Sequence, residues 1–216
     1  MESTGPDWVP IPPIFVPRSA MGVRAVFLVG FMAAGKTTVG QELARRLGWD
    51  FVDLDAQIES REQQTIAEIF RDRGEHEFRV VESATLRDLT ESLERDTVLA
   101  LGGGTFAQPS NVELLRPWHS IFLDTPLDEL WRRTREDTTK RPLRKDDRAE
   151  FESLYWQRRP SYTQATMTIV TSGNTPASLC AEIERRLQFG AKTAGGAEAA
   201  GPSQITPARS GTGESQ

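Results

Sequence analysis

The sequence is poor in cysteine, in long apolar runs and in net charge, and each shortage removes a class of protein. Cys180 is the one cysteine among 216 residues, so an internal disulfide is impossible and a Cys-rich zinc site cannot be completed. A reducing compartment, the cytoplasm, is the expectation. No apolar stretch approaches the ~18 residues that cross a bilayer, which argues against an integral membrane protein and a membrane partner. The formal net charge of −5 lacks the basic surplus of a general nucleic-acid binder, so any anion site must be local. The two histidines, His76 and His119, are too isolated to make a metal centre.

The two ends are set apart by composition. Residues 1–22 hold Pro6, Pro10, Pro12, Pro13 and Pro17 among 13 prolines in all, and they show no helical or alternating period, so they read as an extended arm. Acidic residues and prolines interrupt its apolar positions, unlike a secretory leader. Residues 190–216 are mostly Gly, Ala, Ser, Thr and Pro, with Ile205 as the only large aliphatic, and a disordered tail is expected. Residues 23–189 are left as one domain, expected to work as a monomer because no surplus apolar stripe remains to be covered.

Within that domain short apolar runs alternate with helical patterns. Strands are expected at Val23 to Val29, Phe51 to Leu54, Thr97 to Leu101, Ser120 to Leu123 and Met167 to Val170. Helices are expected through Val39, Leu43 and Leu47, through Ile66 to Phe70, Glu77 to Leu93, after Pro126, across Glu150 to Arg158, and from Pro176 to Leu187. Such alternation predicts an α/β fold with a parallel sheet covered by helices on both faces.

Gly30-Phe31-Met32-Ala33-Ala34-Gly35-Lys36-Thr37 fits G-x-x-x-x-G-K-[ST], a loop whose amides surround phosphate oxygens while the lysine neutralises them and the hydroxyl meets magnesium. The alternative, a glycine turn with a solvated lysine, is disfavoured because the pattern follows an apolar strand and opens an amphipathic helix. No N-K-x-D guanine-reading motif is present, which argues against a GTPase. Asp53 and Asp55 stand at the end of the second strand, where their spacing of two places both side chains together. One can serve the metal shell and the other can orient an attacking hydroxyl, or both can be ordinary acidic turn residues.

Arg79 shares the phase of Leu86 and Leu93, with Glu82 at i+3, and Arg158 continues the face of Phe151, Leu154 and Tyr155 while Arg159 turns away. Two structural ion pairs would explain this placement, and so would a grip on a ligand carboxylate. Gly102-Gly103-Gly104 after the third strand is either a flexible turn or a place where a ligand nears backbone amides. Between Arg132 and Arg148 eight Lys and Arg face four Asp and Glu without an apolar period, a pattern that fits a lid or a solvated charged loop.

Taken together these motifs resemble the shikimate kinases. The likeness runs over residues 24–188 and rests on G-F-M-A-A-G-K-T-T-V-G at Gly30 to Gly40, D-L-D at Asp53 to Asp55, I-A-E-I-F-R-D-R-G-E-H-E-F-R-V-V-E at Ile66 to Glu82, G-G-G at Gly102 to Gly104, R-P-L at Arg141 to Leu143 and R-R-P-S-Y at Arg158 to Tyr162. It implies a P-loop kinase three-layer α/β/α sandwich with a mobile lid. It also implies ATP-dependent phosphorylation of the 3-hydroxyl of shikimate, giving shikimate 3-phosphate on the chorismate route to aromatic amino acids, with magnesium as cofactor.

By position, the resemblance gives ATP contacts to Gly30, Ala33, Ala34, Gly35, Lys36, Thr37, Thr38, Arg133, Arg141 and Pro176, and metal contacts to Thr37 and Asp53. Substrate contacts fall on Asp55, Phe70, Phe78, Arg79, Gly102, Gly103, Gly104 and Arg158, with Glu82 orienting Arg79. Catalysis falls on Lys36, Asp55 and Arg141. Two departures stand out. Ala33 takes a place that the family usually gives to glycine, which costs on the order of 1 kcal/mol if φ is positive there, and Asn174 stands where an arginine near the nucleotide is common. The rivals are a kinase of another hydroxylated acid such as gluconate, and a silent homologue, which should have lost Lys36, Asp53, Asp55 or an arginine.

Overall fold

The structure, a computed structural model, describes residues 24–136 and 147–187. The arm at 1–22, the tail at 190–216, and Arg141 with the middle of the expected lid lie outside the described residues.

Five parallel strands form one sheet in the order β2-β3-β1-β4-β5. They are β1 (Ala25–Val29), β2 (Asp50–Asp53), β3 (Thr97–Ala100), β4 (His119–Asp124) and β5 (Met167–Val170). Every residue of β1 and β3 is buried, as expected for inner parallel strands with a layer on each face, and this is why they read as nearly continuous apolar runs, Thr97 being the one polar residue. Register places Leu28 beside both Ala100 and Ile121. The carboxyl ends of β1, β2 and β3 therefore open on the same edge, where open α/β sheets place their ligands.

The helices that cover the sheet are α1 (Lys36–Leu47), α2 (Leu54–Glu62), α3 (Ile66–Ser92), α4 (Pro109–Leu115), α5 (Leu127–Glu136), α6 (Arg148–Tyr162) and α7 (Pro176–Leu187). α1 packs on β1, β2, β3 and α7, while α2 packs on α3 and α5 on α6. α1 ends at Gly48, whose φ of 67° supplies the left-handed cap and whose amide closes on the Ala44 carbonyl. Arg45 and Arg46 in its last turn suit the negative end of the helix dipole.

Several expected elements need correction. β2 stops at Asp53, so Asp55 does not share a strand with it: Asp53 caps α2 and Asp55 lies in the first turn of that helix. α2 was not expected, because only Leu54 and Ile58 are buried on it, too few to write a period. The two helical stretches 66–70 and 77–93 are one element, α3, broken at Gly74, whose φ of 80° and ψ of 170° no helix accommodates. Arg132 to Glu136 complete α5, and Arg148 opens α6 behind the Asp147 cap, so both ends of the expected charged loop are helical.

Candidate active site

The phosphate loop is built by the chain leaving β1. Gly30 takes φ 155° and Gly35 φ 90°, and a Cβ on Gly30 would come 3.2 Å from the Leu123 carbonyl. Ala33 holds φ 62°, in the left-handed region where a methyl group is strained. Lys36 is buried and donates to the carbonyls of Gly30 and Phe31, both at 2.9 Å, so its ammonium folds over the loop that it would neutralise. Arg133 of α5 reaches the Ala33 carbonyl at 3.3 Å and pairs with Glu129 at 2.5 Å.

At the end of β2 one carboxylate does two things. Asp53 Oδ1 accepts the amides of Asp55 and Ala56 at 3.1 and 3.5 Å, which satisfies the open N-terminus of α2. Its Oδ2 accepts from the Thr37 hydroxyl at 2.8 Å. A hydroxyl and a carboxylate held side by side next to a phosphate loop are the hard oxygen donors that suit a magnesium ion, so these two residues fit that ion.

The triple glycine after β3 is the centre of the remaining groups. A Cβ on Gly102 would lie 2.7 Å from Asp55 Oδ1 and 2.9 Å from Glu82 Oε1, and one on Gly104 would lie 2.4 Å from an Arg79 nitrogen. Only bare backbone lets these charges converge. Arg79 Nη1 donates to Glu82 at 2.8 Å and Nη2 to Glu75 at 3.1 Å, and Glu82, fully buried, also accepts from Thr105 at 2.6 Å. Burial works against the Arg79 charge, yet Glu82 and Glu75 outweigh it and hold the guanidinium above its ordinary value. Arg79 Nε is nevertheless a buried donor with no partner among the described residues.

Arg158 is 7% exposed and, among the described residues, pairs with no carboxylate; its Nη1 reaches the Gly103 carbonyl at 3.4 Å. Arg159 turns the other way, to the Tyr155 hydroxyl at 3.2 Å and Asp124 at 3.0 Å. The ion-pair explanation thus covers part of Arg79 and none of Arg158.

One cavity of about 860 Å³ joins these groups. Its walls carry Ala33, Gly35, Lys36, Thr37 and Thr38 from the phosphate loop, Asp53 and Asp55 from β2 and α2, and Arg133. Opposite them stand Phe70, Phe78, Arg79, Glu82, Gly102, Gly103, Gly104 and Arg158. Phe70 and Phe78 meet ring to ring at 4.6 Å, with Arg79 over Phe78. Gly30 and Ala34, expected among the ATP contacts, are buried and do not line the cavity. Pro176 is exposed at the start of α7 and does not line the cavity, and Asn174 is turned to the carbonyls of Val170 and Ser172. Sequence reasoning missed Met32, Glu59, Thr65 and Ile66 on the wall. The T-x-x-E signal of Thr65 and Glu68, a capping box in the structure, marks where α3 begins beside the cavity.

A phosphate loop under the carboxyl edge of a five-stranded parallel sheet, with an acid and two guanidinium groups across one cavity, defines a P-loop kinase of a small anionic substrate. The model of the shikimate kinase family matches residues 32–188, and the chain belongs to that family. A shikimate kinase of Persephonella marina is 38% identical over 77% of this chain and 100% of its own length. The solved shikimate kinase of Acinetobacter baumannii in complex with shikimate superposes with a TM-score of 0.72 at 34% identity, covering 80% of this chain and 97% of that one. A gluconokinase of Sinorhizobium meliloti, at 16% identity and a TM-score of 0.51 over 77% of this chain and 96% of that one, shares the fold alone.

Proposed function

We propose the following division of labour for the reaction of this family, the ATP-dependent phosphorylation of the 3-hydroxyl of shikimate in aromatic amino acid biosynthesis. The amides of Gly30 to Thr38 and the Lys36 ammonium hold the phosphates, the helix dipole of α1 adding to the attraction. Thr37 and Asp53 hold magnesium, which when bound neutralises charge on the phosphates in transfer. Arg133 covers the nucleotide from α5, joined by Arg141 from the lid.

Asp55 receives the hydroxyl of the substrate and takes its proton as the oxygen attacks in line. Arg79 and Arg158 grip the carboxylate, Gly102 to Gly104 let the ring approach the backbone, and Phe70 and Phe78 cover its apolar side. Catalysis comes from positioning and charge stabilisation, with no covalent intermediate. The working unit is a monomer, for which the sequence leaves no surplus apolar stripe to cover, and its place is the cytoplasm.

The observation that carries this reading is the buried Arg158, which has no carboxylate partner among the described residues, beside the half-buried Arg79, whose Nε has no partner among them, both facing the same cavity as Lys36 and Asp55. A buried cation without a carboxylate partner is costly, so Arg158 implies an anion that arrives with the ligand, and the free Nε of the already paired Arg79 can join it. The test is ADP release with MgATP and shikimate, gluconate or quinate. Release that depends on shikimate alone is expected; release driven equally by gluconate, or by no acid, would sink the assignment.

A further inference from the structure

The stretch Arg158 to Tyr162 supplies Arg158 to the clamp, while its last residue has no place in that account. Tyr162 is nevertheless wholly buried at 0% exposure. Its ring lies against Phe122 of β4, with centroids 5.4 Å apart, a contact that phenylalanine would make equally well. The hydroxyl calls for a reason of its own, because a buried polar group is tolerated only when it is bonded. It donates to the Gly103 carbonyl at 2.5 Å, across 59 positions of sequence. Arg158 reaches the same oxygen, so both lone pairs of that carbonyl are engaged from α6.

Gly103 is the middle of the loop on which the substrate groups converge. On its other side a Cβ would come 3.3 Å from the Met32 amide, so the peptide is confined between the phosphate loop and α6. Three successive glycines have more backbone freedom than any other tripeptide, and that freedom must be lost when a ligand docks on them. Burial raises the Tyr162 phenol far above its ordinary value, against the opposite pull of Arg158, so the hydroxyl remains a donor throughout the working range.

We propose that Tyr162 is a positioning residue for the acceptor substrate: its hydroxyl fixes the Gly103 peptide, so that the glycine loop and Arg158 meet shikimate in one register. The proposal rests on the clamp described above. The phosphate loop has tethers of its own, from Lys36 to Gly30 and Phe31 and from Thr37 to Asp53, so the effect of losing the hydroxyl falls on one substrate and not the other.

Tyr162→Phe keeps the ring and removes the bond. The KM and the calorimetric Kd for shikimate should both rise about fivefold to tenfold, the loss expected for one such hydrogen bond. The KM for ATP should change less than about twofold, and kcat should fall less than the shikimate KM rises. A purely structural role would lower the folded fraction, and with it the maximal rate, while leaving both KM values in place. The calorimetric Kd is read on the folded fraction alone, so it decides the matter even if some of the variant fails to fold. An unchanged shikimate Kd would overturn the inference; a wild-type chain that does not turn over shikimate would instead overturn the assignment of the reaction.

Discussion

Replacing Ala33 by glycine isolates a single backbone angle. Its φ of 62° puts a methyl group in the left-handed region, at a cost of roughly 1–2 kcal/mol relative to glycine. The substitution also loosens the unfolded chain, which takes back roughly 0.4–1 kcal/mol. Net stabilisation of about 0.5–1 kcal/mol remains, and for a chain of this size that is a rise in Tm of roughly 1–4 °C. The Ala33 carbonyl already accepts from Arg133 at 3.3 Å, and the loop is already closed by the Ala34 amide on the Phe31 carbonyl at 3.3 Å. The strain is therefore present before ATP arrives and is common to both states. Differential scanning calorimetry should show the rise in Tm, while calorimetric titration should find the Kd for an ATP analogue within about twofold of wild type. A Tm that does not rise, or an ATP affinity that improves more than about fivefold, would refute this placement of the strain.

Three further predictions bear on the chemistry and the clamp. Lys36→Met or Asp55→Asn should lower kcat by about 100-fold or more with the fold intact, since each removes charge stabilisation or proton acceptance in the transition state; near-normal turnover in either would refute its role. Arg158→Lys should raise the shikimate KM by about tenfold or more because the planar fork is lost, while Arg159→Lys, altering only contacts to Tyr155 and Asp124, should change it by less than about twofold; equal effects would break the argument. Gly104→Ala should raise the shikimate KM by about tenfold with the ATP KM unchanged, because the added carbon would collide with both terminal nitrogens of Arg79, Nη1, 2.6 Å away and held by Glu82 at 2.8 Å, and Nη2, held by Glu75 at 3.1 Å; a shikimate KM equal to wild type would show that the guanidinium has room to move.

What could be read without coordinates was whatever the chain writes within a few residues. The phosphate loop is contiguous, and its roles follow from spacing. β5 and α7 were legible in full, because a short β-branched run, Met-Thr-Ile-Val, and a periodic stripe each lie between clear breaks. α2 was not, since helix pairing buries only Leu54 and Ile58 on it, and α4 is a short helix fixed by tertiary contact with α3 and the turn at Thr105. Asp53 and Asp55 were brought together by a strand argument when the agent is a helix cap: the side chain of one holds the amide of the other at 3.1 Å.

The substrate side required the fold. Phase alone turned Arg79 and Arg158 inward, but it could not tell an ion pair from an empty grip, and the two arginines turn out to differ. Arg79 is oriented by Glu82, which is in turn fixed by Thr105 at a separation of 23 residues, whereas Arg158 rests on a backbone carbonyl. What unites them is a tripeptide without side chains. Gly104 lies over one guanidinium, Gly103 accepts from the other, and Gly102 approaches the acid. The glycines therefore do more than let a ligand approach; they bring opposite charges from three helices to one edge of the sheet. A side chain at Gly102 or Gly104 would push on the acid or on the cation that orients its substrate, and one at Gly103 would push on the phosphate loop at Met32, which is why the loop should be least tolerant of change where it looks most featureless.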